Sequence, residues 1–81
     1  MILKQEIIAE LPTKSYEYLR CTKLKYVNNP YSFIDLRFFQ RGFDDEGEEV
    51  WFPTQKGTQI KLDTFDKLIL SYYQSMTDLK R

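Results

Sequence analysis

With 81 residues, 42% hydrophobic and 16% aromatic, the chain has material for one small domain (residues 1–81) and none for a second. Twelve basic and twelve acidic residues cancel. This excludes a polybasic protein held to nucleic acid by net charge, so such a role must rest on local segregation of charge. One cysteine and no histidine exclude an intramolecular disulfide, a Cys/His zinc site and histidine acid–base chemistry.

A lone thiol, no signal-like leader and no apolar run near the ~20 residues of a membrane span set the expectation of a cytoplasmic protein. That means nucleoid or host cytoplasm for a bacterial or viral source, and the nucleus for a eukaryotic one. A domain this small gains burial by oligomerising, so a homodimer is expected.

Residues 2–11 fit two patterns. Leu3, Ile7, Ile8 and Leu11 suit a helical stripe, and the same apolar cluster suits a strand. Pro12 and the polar Thr13-Lys14-Ser15 favour a strand that stops at a turn. Residues 16–27 read as the next strand, with Lys23 and Lys25 on one face and Leu24 and Tyr26 on the other. Leu19 and Cys21 share the lysines' parity, which predicts a bulge or bend near Arg20-Cys21-Thr22. Asn28-Asn29-Pro30 predicts a tight turn, because Asn tolerates left-handed backbone and Pro fixes φ.

The following stretch, Tyr31-Ser-Phe-Ile-Asp-Leu-Arg-Phe-Phe-Gln-Arg41, organises the chain. Ile34, Leu36 and Phe38 alternate with Tyr31, Phe33, Asp35, Arg37, Phe39 and Arg41. The first set reads as core. The second is either an ordinary half-exposed strand face or a surface of rings and guanidinium groups suited to stacking bases.

Residues 42–49 hold two glycines and five acids, the pattern of a solvated hairpin tip. The alternating oxygen ligands and closing glutamate of an EF-hand are absent, and no cofactor or metal is implied. Val50-Trp51-Phe52 resumes apolar character, with Trp51 either core, the favoured reading, or a stacking ring. Gln55 to Ile60 continues as a short strand that Pro53 and Gly57 mark as interrupted or at an edge. A helix closes the chain. Asp63 is placed as its N-cap, and Lys80 and Arg81 suit its carboxyl end. Phe65, Leu68, Ile69, Tyr72, Met76 and Leu79 form an apolar stripe, with Leu70 and Tyr73 off it. That second apolar patch is expected to lie in a dimer interface.

The predicted fold class is therefore α+β, a four-stranded antiparallel sheet followed by a helix. Catalysis lacks its usual groups, since the carboxylates sit mostly in a loop and Cys21 has no evident base. From Lys14 to Arg41, six basic residues face only Glu17 and Asp35. If Lys23 and Lys25 pair onto the Arg37 face, this basic hairpin joins its charges to Tyr31, Phe33 and Phe39 on one surface.

Thr22-Lys-Leu-Lys-Tyr-Val27, Phe33-Ile-Asp-Leu-Arg-Phe-Phe39 and Gln55-Lys-Gly-Thr-Gln-Ile-Lys-Leu62 before a helix resemble the positive cofactor four family. These are transcriptional coactivators and bacterial or phage relatives that bind single-stranded DNA. The resemblance covers about residues 19–73, and Lys4 to Leu11 is similar to the first strand of short bacterial members. It implies a curved sheet and a homodimer built largely through the helices, here Leu68, Leu70, Tyr72, Tyr73 and Met76. It implies a single-strand groove with little sequence preference, and partners in the transcription, replication or recombination machinery. Phosphate contacts would fall to Lys23, Lys25, Arg37 and Lys56, with Tyr31, Phe39 and Arg41 alongside. Gln40 stands where eukaryotic members have a tryptophan. The alternative is a protein-interaction module that docks a polymerase or regulator through the helix or the acidic loop.

Overall fold

The computed structural model describes residues 1–79, with side chains as far as Thr77. Four strands, β1 (Ile2–Lys14), β2 (Glu17–Tyr26), β3 (Ser32–Phe43) and β4 (Glu49–Lys61), form an antiparallel meander in the order β1-β2-β3-β4. Helix α1 (Leu62–Leu79) follows β4 directly. Lys80 and Arg81, expected to favour the helix carboxyl end, lie outside the described residues, as does the Leu79 side chain.

The strand expected to stop at Pro12 runs on to Lys14, with Pro12 opposite Tyr18. The reason is position: β1 is an edge strand, where a proline's missing N–H can face solvent. The bulge expected in β2 lies instead in β1, at the step between Ile7 and Ala9 that faces Thr22 and Cys21. Against β3, β2 keeps unbroken register from Glu17 to Lys25. The other edge, β4, is also irregular, since Thr54, Gln55 and Lys56 all face the single step at Phe38. Thr54 fastens this bulge by donating its hydroxyl to the Phe38 carbonyl at 2.7 Å. Irregular edges resist pairing with other chains.

The β2–β3 turn follows its chemistry. Asn28 adopts φ 62°, and the Asn29 side chain accepts the Tyr31 N–H at 2.9 Å. At the β3–β4 tip the Asp44 carboxylate accepts the N–H groups of Glu46 and Glu48, both at 2.9 Å, and Gly47 takes φ 80°. Asp63 lies one residue inside α1 and accepts the Thr64 N–H at 2.8 Å.

Little of the sheet is covered. Among the described residues, Leu24 and Ile34 are the large apolar side chains that are buried, and they lie on opposite faces. The radius of gyration is 16.0 Å, against roughly 12 Å for a compact domain of this length. The accessible surface is 6555 Å², against roughly 5,200 Å² for a compact monomer of this mass. Helix α1 rests on β3 and β4. Phe65 and Met76 are half-buried, whereas Leu68, Leu70, Tyr72 and Tyr73 are 57–63% exposed.

One carboxylate ties the β1–β2 turn down. Buried Glu17 accepts the Thr13 hydroxyl at 2.8 Å and the Gln40 amide at 3.4 Å. The Thr13 bond holds its pKa below the ordinary 4.5, with Gln40, Lys14 and Lys56 assisting and burial opposing. A lowered native pKa means stability that is complete above the ordinary value and is lost as pH falls through the native one. Thr13→Val is therefore expected to flatten the acid limb of a pH–melting-temperature curve below about pH 4.5. An unchanged acid limb would mean that other carboxylates govern it.

Candidate nucleic-acid interface

Directly opposed residues of antiparallel strands share a face, so the register sorts every side chain. On β3 the expected separation holds. Ile34, Leu36 and Phe38 share a face with Ile60 and Thr58 of β4, and Phe33, Asp35, Arg37, Phe39 and Arg41 occupy the other. From β2, the second face receives Leu24, Thr22, Arg20 and Tyr18. From β4, it receives Lys61, Gln59, Gly57, Pro53 and Trp51.

Lys23 and Lys25 are not on that face. Lys23 pairs with Ile34 and Lys25 with Ser32. Residues 26–31, an even number, separate Lys25 from Ser32, so odd positions of β2 meet even positions of β3. The expected union of both lysines with the Arg37 face fails for this reason. Arg20, opposite Arg37, takes their place. Lys56 is also on the far side, with Nζ 5.2 Å from the Phe38 ring. Gln40 faces the same way, across from Glu17. Of the expected binding residues, the structure gathers Arg37, Phe39 and Arg41 on one face, places Tyr31 at its rim, and sends Lys23, Lys25 and Lys56 to the other.

The face has an aromatic centre. Tyr18 and Phe39 stack at 5.2 Å and 4° between planes, and Trp51 tilts against Tyr18 at 5.0 Å. Trp51 is 40% exposed, which corrects the reading of it as core. Arg20 lies 4.1 Å from the Phe39 ring centroid and donates to the Tyr18 hydroxyl at 2.7 Å. Toward the other end, Tyr26 meets Phe33 edge-on and donates to Gln59 at 2.8 Å. Lys61 sits 4.1 Å over the Tyr31 ring. A depression of about 360 Å³ runs between these groups, lined by Arg20, Thr22, Arg37, Phe39 and Gln59 among others.

Each arginine of the face is held by a carboxylate. Arg20 pairs with Glu10 at 3.1 Å, and Arg41 with Glu49 at 4.0 Å. Arg37 donates twice to Asp35, at 3.1 and 3.3 Å, and once to the Thr54 carbonyl at 3.0 Å. Such planar forks fix a guanidinium more firmly than a lone ion pair would. Arg37 can lie here because Gly57 is beneath it. A Cβ at Gly57 would meet the Leu36 carbonyl oxygen at 2.4 Å and the guanidinium at 3.0 Å. The carbonyl is backbone and has little freedom to move. Gly57→Ala is expected to destabilise the sheet by about 1–3 kcal/mol. A urea midpoint indistinguishable from the parent would contradict this packing.

Tyr18, Arg20 and Lys61 escaped the sequence reading as site residues, and Trp51 enters it as a stacking ring only in the less favoured of two readings. The even turn length between β2 and β3, which fixes parity, could have found Tyr18 and Arg20, whereas Trp51 and Lys61 depend on the pairing of β3 with β4. Cys21 is half-buried, and burial, with a contribution from Asp35, pushes its thiol pKa up. Among the described residues, no helix is long and apolar enough to cross a membrane. Comparison with known families, curated proteins and solved structures finds no match to this chain.

Proposed function

We propose that the protein is a homodimeric single-stranded DNA-binding protein with little sequence preference and no catalytic role, of the positive cofactor four kind. The observation that carries this reading is the Tyr18–Phe39–Trp51 cluster set among Arg20, Arg37 and Arg41 on one open sheet face. Flat rings stack on any base, and arginines contact the backbone without reading sequence. The face carries Arg20, Arg37, Arg41 and Lys61 against Glu10, Asp35 and Glu49. Its charge is therefore nearly balanced, and stacking supplies more of the affinity than phosphate neutralisation. Duplex DNA suits it poorly, since α1 is largely apolar and begins with acids. A raised Cys21 pKa supports the non-catalytic reading, because the thiolate is the reactive form.

The dimer is supported by surface. The chain, at 6555 Å², exposes roughly 1,400 Å² more than a compact monomer of its mass, and a stable interface takes about 800 Å² from each partner. Leu68, Leu70, Tyr72 and Tyr73 offer an uncovered apolar patch for it. The same patch favours the second reading, a module that docks a polymerase or regulator through α1. Transcription, replication and recombination all use proteins of the proposed kind.

A low-salt gel shift with oligothymidine, its duplex and an RNA oligomer tests the reading. Single strands are expected to shift and duplex to stay free. An interaction module would leave all three unshifted.

A further inference from the structure

At one end of the aromatic face, a depression of about 460 Å³ opens beside the edge strand β1. Pro12 and Tyr18, which are cross-strand partners, line it together with Trp51. Trp51 stands at 58° to Tyr18, so the two rings make a corner rather than a closed stack. Phe39 stacks on Tyr18 from β3, on the other side of β2, and takes no part in the lining. A proline ring is short, which leaves open the side of the Tyr18 ring that Phe39 does not cover. The volume falls within the roughly 300–1,000 Å³ of small-ligand sites.

The charge of the lining is already balanced. Arg20 donates twice to Oε2 of Glu10, at 3.1 and 3.3 Å, and once to the Tyr18 hydroxyl at 2.7 Å. Glu17 accepts from Thr13 and Gln40, and Lys14 stands opposite it in the register. Two carboxylates thus meet Arg20 and Lys14, which leaves no surplus charge to hold an anion or a cation. One strong acceptor remains open. Oε1 of Glu10 takes no hydrogen bond among the described residues, while its partner oxygen takes two. A flat, neutral ligand with N–H donors along one edge fits such a pocket.

We propose that this pocket receives one guanine of a bound single strand and that Glu10 selects it. The inference rests on the proposed single-strand binding, to which it adds a preference at one position. The base lies against Tyr18 and Pro12 with its pairing edge toward Glu10, and the backbone continues along the arginines. An ionised carboxylate only accepts hydrogen bonds. Guanine alone presents two neighbouring donors on its pairing edge, N1–H and the N2 amine. Adenine and cytosine set one amine beside a ring acceptor, and thymine flanks one N–H with two carbonyls. Arg20 acts as a positioning residue, because its paired charge-assisted bonds orient the carboxylate before the base arrives.

The test compares three DNA probes of about 12 nucleotides, long enough to fill one binding face. One is oligothymidine, one a thymine–thymine–guanine repeat, and one the same repeat with inosine for guanine. The parent is expected to bind the guanine repeat about tenfold more tightly than oligothymidine, as a hydrogen bond to a charged group allows. Inosine keeps the ring and lacks the N2 amine, so its repeat should lose most of that gain. In Glu10→Ala the affinities for guanine and thymine probes should come within twofold of each other. The readout is the ratio within each protein, so the release of Arg20, which alters both affinities, cancels. Glu10 is exposed and its ion pair adds little to stability, and a melting curve checks that the variant folds.

Equal affinity of the parent for guanine and thymine probes would overturn the inference and leave the single-strand reading standing. A guanine preference that survives Glu10→Ala, or an inosine repeat bound as tightly as the guanine one, would also defeat it. Binding of a lysine-rich peptide without nucleic acid, lost in Glu10→Ala, would give the pocket to a cationic protein partner instead. A parent that binds none of the three probes would sink the single-strand reading itself, and this inference with it.

Discussion

Replacing Tyr18 and Phe39 together by leucine is expected to weaken oligothymidine binding about 5- to 150-fold, the equivalent of the ~1–3 kcal/mol that one base–ring stack contributes. Leucine keeps the apolar bulk of both positions and the strand pairing between them, so the sheet remains. What goes is the flat 5.2 Å stack, the ring beneath the Arg20 guanidinium and the edge on which Trp51 leans. Aromatic pairs of this kind add about 0.5–1.5 kcal/mol to stability beyond area burial. A modest fall in melting temperature should therefore accompany the larger fall in affinity. Tight binding retained within twofold would mean that the rings serve the fold alone.

The second large effect concerns α1. Leu68→Glu with Tyr72→Glu places two carboxylates on side chains that are 57% and 60% exposed in the single chain. In a monomer such substitutions are close to neutral. In the proposed dimer they bury unpaired charge, at a cost of several kcal/mol, and should weaken self-association by more than about 100-fold. Sedimentation should move from dimer to monomer. Because the single chain buries so few apolar side chains, its cooperative melt should fall or vanish with the dimer. The parent's melting temperature should rise with protein concentration, as folding linked to association requires. A variant that sediments and melts like the parent would leave the helix patch without a role in assembly.

The strand order and the closing helix were legible because their signals are local. Period-two alternation separated Ile34, Leu36 and Phe38 from Phe33, Arg37 and Phe39, and the register kept that separation. Asn28-Asn29-Pro30 and the acidic tip turned where their backbone preferences said they would. What failed was information that belongs to pairs of strands. Nothing within β2 says which of its faces joins which face of β3, and Lys23 and Lys25 were placed on the wrong one. Trp51 sits in an apolar triplet that reads as core by composition, but its exposure follows from β4 being an edge strand with no second layer above it. Pro12 reads as a stop unless the strand is known to lie at an edge. Gly57 matters because Arg37 crosses it, a contact made only across strands.

The candidate site was legible in kind more than in detail. Rings alternating with arginine on β3 pointed to a stacking face, and the structure adds Tyr18, Arg20 and Trp51 from the neighbouring strands. It also changes the expected electrostatics. With three arginines already paired to acids, phosphates must displace or share those carboxylates, so the salt dependence of the aromatic face should be shallower than that of a fully basic groove.

The most direct measurement uses the single tryptophan as its reporter. Trp51 lies within the proposed stacking cluster, 5.0 Å from Tyr18 and 40% exposed. Titrating the parent protein with oligothymidine at low salt should quench its fluorescence to saturation. Added salt should reverse the quench only in part, and the matching duplex should leave the fluorescence unchanged. Fluorescence that stays flat through the same titration, or that responds equally to duplex, would contradict single-strand binding on this face.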